Sequence, residues 1–192
     1  MTSRTHDLAA ITALGAVAFI EPLRTITLGT ALVAILANQI GGILPDIDQP
    51  TAPFWRNLPI GKYFGKVTDK ALGGHRFITH SLLGVALFGF LTRALLIFQH
   101  PITPHINAGL VWWAFLIGML SHLVMDTFTK EGVPWLLPIP FKFGFPPLKA
   151  WRITTGKAVE NLLVFPGLLA LDVWFCASHY TELLALIHHH LV

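Results

Sequence analysis

From residue 79 to residue 98 the chain reads THSLLGVALFGFLTRALLIF, a stretch whose only Lys, Arg, Asp or Glu is Arg93. A helix rises 1.5 Å per residue, so roughly 20 apolar residues cross a hydrocarbon core about 30 Å thick. Comparable stretches run over residues 8–20, 26–44, 108–128 and 161–186. A soluble chain of 192 residues could bury one such helix on all sides, but not five. Composition agrees: 12% of residues are charged, against about 25% in soluble domains, and the mean hydropathy is +0.64. The fold class predicted is all-α, a polytopic membrane helical bundle of about five transmembrane helices with two longer loops. No repeat or Ser-rich linker divides it, so residues 1–192 read as one domain. The first stretch is short and closed by Glu21 and Pro22, but further spans follow it, so it reads as a retained helix rather than a cleaved signal peptide. Cys176, the single cysteine, reads as a packing residue.

Basic residues set the orientation, because loops rich in them stay cytoplasmic. Arg56, Lys62, Lys66, Lys70 and Arg76 lie between the second and third spans, and Lys130, Lys142, Lys149, Arg152 and Lys157 between the fourth and fifth. With five spans, both loops and the N-terminus fall on one face, predicted cytoplasmic, and the His188–His190 tract falls on the other as an exposed tail. The net charge of +3 then reflects topology and contact with anionic lipid. No nucleic-acid-binding pattern accompanies these residues, so no nucleic acid partner is expected.

Metal-ligating residue types gather at that same face. His6 precedes span one. Asp46 and Asp48 follow span two, where Gly41, Gly42 and Pro45 favour a turn and an extended stretch would point both carboxylates one way. His75 and His80 open span three. His122 and Asp126 close span four, four residues apart and therefore on one helical face. Glu160 opens span five, as a helix cap, a further ligand or a general base. Taken singly, each residue reads as readily as a cap or a hydrogen-bonded surface group. Taken together, helix ends converging at one end of a bundle predict an interfacial metal site, since ionisable groups at the edge of hydrocarbon are costly to keep. His100, His105 and His179 lie at or near the opposite face and are set aside.

The pieces His6, GGILPDIDQP, GGHRFITHSL, GMLSHLVMDTFTKEGVPWLLP and RITTGKAVE follow one another along the whole chain. In this order they resemble the YdjM family, inner-membrane proteins of unassigned substrate read as metal-dependent hydrolases. The resemblance implies a polytopic bacterial membrane protein with its metal site on His6, Asp46, Asp48, His75, His80, His122 and Asp126. The His122/Asp126 pair is also loosely similar to zinc phospholipase C and P1-type nuclease sites, which are soluble folds with a fuller ligand pattern.

Mixed nitrogen and oxygen ligands suit zinc or manganese, with iron a third candidate, better than magnesium or calcium. Seven or eight ligands exceed one tetrahedral ion, so two divalent ions bridged by an aspartate are expected. Arg76 beside them reads as a phosphate contact or a topology marker. Trp55, Trp135, Trp151 and the apolar loop 136–148 would lie at the headgroup level. Membrane lipids are therefore the expected partners. The expected function is hydrolysis of a phosphoester of a phospholipid or lipid-linked phosphate, with a metal transporter or a noncatalytic, metal-stapled scaffold as the alternatives. Oligomeric state is not legible.

Overall fold

The computed structural model describes residues 1–20, 26–71, 76–99, 103–139 and 141–191. It is all-helical apart from its loops and two isolated β-bridges, with eight α-helices among the described residues: α1 (Ser3–Ile20), α2 (Leu28–Ile43), α3 (Pro53–Arg56), α4 (Gly61–Ala71), α5 (Leu82–Gln99), α6 (Ala108–Thr127), α7 (Phe165–Ser178) and α8 (Tyr180–Leu191). Four segments are long and apolar enough to cross a membrane: Leu28–Asp48, Leu82–Gln99, Ala108–Thr127 and Glu160–Ser178. The less apolar α1 packs among them, against α2, α6 and α7.

Local sequence sets where these helices start. Thr27 caps α2 by accepting from Thr30 N at 3.1 Å, and Asn107 caps α6 by accepting from Leu110 N at 3.1 Å. Ser81 does the same for α5, its Oγ accepting from Gly84 N at 3.1 Å. Pro166 has no N–H to offer, and ahead of it the chain widens into a π turn, Glu160–Val164, in which Phe165 N reaches back to Glu160 O.

The bundle is built around α6, whose inward residues include Val111, Phe115, Met119, Leu123, His122 and Asp126. Its tightest partner is α2. A Cβ added to Gly41 would lie 2.1 Å from Phe115 O, and one on Gly118 would lie 2.0 Å from Asn38 O, so only glycine lets the two backbones approach this closely. Asn38 Nδ2 donates to Ala114 O at 3.1 Å across the same seam. On the outer side, Phe90, Leu95, Phe98, Leu162, Val173 and Trp174 face outward, as expected where the solvent is lipid. Trp112 Nε1 ties α6 to α5 through Gly89 O at 2.7 Å.

Several expectations need correction. Residues 44–48 are not extended: they continue α2 as a 3₁₀ turn, in which residues two apart point to different sides. The last span stops at Ser178, and α8, which carries the His188–His190 tract, is a separate helix rather than a tail. Trp55 is buried, donating from Nε1 to Ile47 O at 2.8 Å, so it props the turn instead of joining an interfacial belt. Trp151 is exposed, as a headgroup-level residue should be. Cys176 is exposed rather than packed inside.

Candidate metal centre

The α2–α6 seam ends in a cluster of histidines and carboxylates. Two groups have ligand atoms within 4.8 Å of one another: His6, His122 and Asp126, and Asp46, His80 and His122. They come from the starts of α1 and α5 and the ends of α2 and α6, so the convergence of helix ends at one face is present in the structure.

Hydrogen bonds settle which histidine atoms are available. His122 Nδ1 lies 2.7 Å from Gly42 O, and a carbonyl can only accept, so Nδ1 carries the proton and Nε2 the lone pair. Nε2 is buried with no hydrogen-bond partner among the described residues. Asp46 Oδ1 stands 3.7 Å from it and Asp126 Oδ2 stands 3.9 Å away. For His80, Thr79 Oγ1 gives its proton to Asp48 Oδ2 at 2.5 Å and accepts from His80 Nδ1 at 3.0 Å. His80 Nε2 is thereby aimed at Asp46 Oδ1, 3.8 Å away, and Asp126 Oδ2, 3.7 Å away.

The His6 and His122 rings stack with centroids 3.6 Å apart and planes 7° off parallel, an arrangement two protonated imidazoles would oppose. His6 lies ahead of the apolar stretch of α1. Burial holds its pKa below the usual histidine value against the pull of its hydrogen bond to Asp126, so the ring is kept in the neutral form that ligates a metal.

These residues fit a divalent cation. Ligands about 2.1 Å from a tetrahedral ion lie about 3.4 Å apart, against 3.2 Å between His6 Nε2 and Asp126 Oδ1 and 3.7–3.9 Å for the other pairs. A positive group already sits among them: the Met1 ammonium contacts His6 Nε2 at 2.9 Å and pairs with Asp126 Oδ1. Since His122 Nε2 has one lone pair, it can serve one ion. Asp126 lies against both groups, with Oδ1 beside His6 and Oδ2 beside His80 and His122.

Asp48, Arg76 and Glu160 of the expected site belong to neither group. Asp48 is fully buried and meets the cluster through Thr79 and through His80 Nδ1 at 3.8 Å, also accepting from Arg76 N at 3.1 Å. Arg76 does not offer its guanidinium to a phosphate. Nη2 pairs with Asp126 Oδ2 at 2.6 Å, Nη1 donates to Thr129 Oγ1 and Gly132 O, and Nε faces Glu131 at 3.4 Å. Its backbone is held at φ 59°, a conformation that non-glycine residues rarely adopt and that these bonds sustain. Glu160 is buried away from both groups. Oε1 accepts from Thr2 N, Thr2 Oγ1 and Thr5 Oγ1, and Oε2 from Gly156 N, all at 2.6–2.7 Å. It latches the start of α1 to the start of the last span. His75 lies outside the described residues.

The cluster is reached through a cavity of about 330 Å³ lined by Ser3, His6, Asp7, Gly42, Ile43, Asp46, Ala52, Phe54, Asn57 and Leu58. Asp7 and Asn57 were not expected from the sequence, although Asp7 directly follows His6. Burial raises the Asp7 pKa above the usual carboxylate value.

Residues 1–188 match the family described as YdjM inner membrane protein. The uncharacterized protein YvsG of Bacillus subtilis (strain 168) is 29% identical over 175 residues, covering 91% of this chain and 94% of that protein. The inner membrane protein YdjM of Escherichia coli (strain K12) is 33% identical over 132 residues, covering 69% of this chain and 59% of that protein. The Shigella flexneri protein of the same name aligns with the same figures. No solved structure matches. With the family match spanning nearly the whole chain and four membrane-length helices beneath a His/Asp cluster, this chain belongs to the YdjM family of multi-pass inner membrane proteins.

Proposed function

We propose that the chain is a membrane-embedded, metal-dependent hydrolase that cleaves a phosphoester of a phospholipid or lipid-linked phosphate at the cytoplasmic face. The observation that carries this reading is the cavity, whose lining combines His6, Asp7 and Asp46 with Ile43, Phe54 and Leu58. An amphiphile suits such a lining, its polar group meeting the ligands and its apolar part the hydrophobic side chains.

His6, Asp46, His80, His122 and Asp126 would hold the metal, and the number of donors among them would suffice for two ions. Divalent zinc or manganese supplies Lewis acidity there, activating water near neutral pH and polarising a phosphoryl oxygen. Arg76 fixes Asp126 through Nη2, and Asp48 and Thr79 keep His80 turned toward the cluster. Asp7 lines the cavity outside both ligand groups and takes the proton-handling part for which Glu160 was a sequence candidate. Hydrolysis forms one P–O bond to the water oxygen, breaks the ester P–O bond and leaves a proton on the departing oxygen.

Phosphate or headgroup release from a mixed lipid panel, with and without chelator, tests this reading. Asp7→Asn should keep its metal and lose turnover by about 100-fold or more, the usual scale of a lost proton-transfer group. Wild type that binds metal yet cleaves no phosphoester would replace the hydrolase reading with the metal-stapled scaffold.

A further inference from the structure

Helix α4 is seated on the protein by one side only. A Cβ on Gly61 would lie 2.0 Å from Trp55 O, and one on Gly65 would lie 2.8 Å from Pro50 Cα, so this side is pressed against the turn that carries Asp46 and Asp48. Thr68 Oγ1 adds a hydrogen bond to Ile47 O at 2.9 Å. A second sector presents Ile60, Tyr63, Phe64 and Val67, spaced as one helical stripe and each at least half exposed. Ile60 holds φ 62°, a costly conformation for a β-branched residue, at the point where the chain turns into this stripe. Lys66 and Lys70 form a third sector beside it, one turn apart, and with Tyr63 and Val67 they border an open groove of about 470 Å³.

We infer that α4 is an in-plane interfacial helix that binds the anionic headgroup layer of the leaflet into which the metal centre opens. Three observations identify this occupant rather than a protein. The helix is joined to the end of the Leu28–Asp48 span, so it lies where that span leaves the hydrocarbon. Its apolar stripe is as exposed as Leu91 of α5 and Val173 of α7, side chains whose solvent is lipid. Its lysines supply the charge that phosphates complement, with apolar stems that can lie along the acyl boundary. Phe54, Asn57 and Leu58, just ahead of α4, line the cavity to His6 and Asp46, so the platform borders the entrance. The inference stands on this surface and does not depend on hydrolysis.

The test uses full-length protein with Cys176→Ser as background, labelled with an environment-sensitive fluorophore at Tyr63→Cys or Val67→Cys. The protein is placed in nanodiscs of phosphatidylcholine, or of equal parts phosphatidylcholine and phosphatidylglycerol. Leu95→Cys, exposed on α5, serves as the inserted control, because nitroxide-bearing lipid should quench it in both discs. The expected result is quenching of both stripe labels by nitroxide lipid, stronger in the anionic discs. Lys66→Ala or Lys70→Ala should lower the lipid-exposed to water-exposed ratio there by up to about fivefold each. Quenching by a soluble agent in both discs overturns the inference, as does quenching by lipid that ignores disc composition and both lysines. Protection that appears only with two chains per disc assigns the stripe to a second copy and overturns it too.

Discussion

Asp126 and Glu160 are both buried acids at the site end of the bundle, yet they are satisfied in opposite ways. Glu160 is saturated by neutral donors: two backbone N–H groups and two hydroxyls close around its oxygens. Asp126 is surrounded instead by cationic groups and by ligand atoms that carry lone pairs, with His80 and His122 Nε2 both within 4 Å of Oδ2. A carboxylate closed by hydrogen bonds holds structure together, whereas one set among other acceptors is arranged for a positive ion. This contrast is what makes the Asp126 cluster, and not the Glu160 latch, the candidate metal centre.

The largest effect should come from Asp126→Asn, which removes the charge that lies against both ligand groups. Metal content and any phosphoester turnover should both collapse, and elemental analysis beside the lipid panel measures the two together. Thr79→Val comes next, because it frees His80 and Asp48 from their common hydroxyl. Metal affinity should fall about 10- to 100-fold while the helical content stays, as titration with a chelator-buffered ion would show. At Gly118, alanine would drive a methyl into Asn38 O, costing about 1–3 kcal/mol by thermal unfolding in detergent. Gly167→Ala should cost nothing, since nothing lies within 4 Å of the added Cβ. The smallest effect on the site belongs to Glu160→Gln: a stability loss of about 1.5–3 kcal/mol from weakened charge-assisted bonds, with metal content unchanged. If that variant lost its metal, the distinction between the two acids would fail.

Much of this was legible in the sequence because membrane helices announce themselves by length and apolarity, and because helix ends sort by parity. That reasoning alone brought His6, Asp46, His80, His122 and Asp126 to one face. It could not assign partners. Asp46 and Asp48 look equivalent in PDID, and only the 3₁₀ turn sends one to the ligand atoms and the other to Thr79 and Arg76. Arg76 looked available for a phosphate because its commitment to Asp126 is a contact across 50 positions of the chain. Trp55 looked interfacial for the same reason: the glycines of α4 that cover it carry no signal until the helix is folded back.

Metal analysis of the purified wild-type protein, dialysed against buffered zinc or manganese, tests the central claim most directly when run beside His122→Ala. The account predicts about two ions per wild-type chain and little or none in the variant. Wild type without stoichiometric metal, or a variant that retains it, would contradict the account.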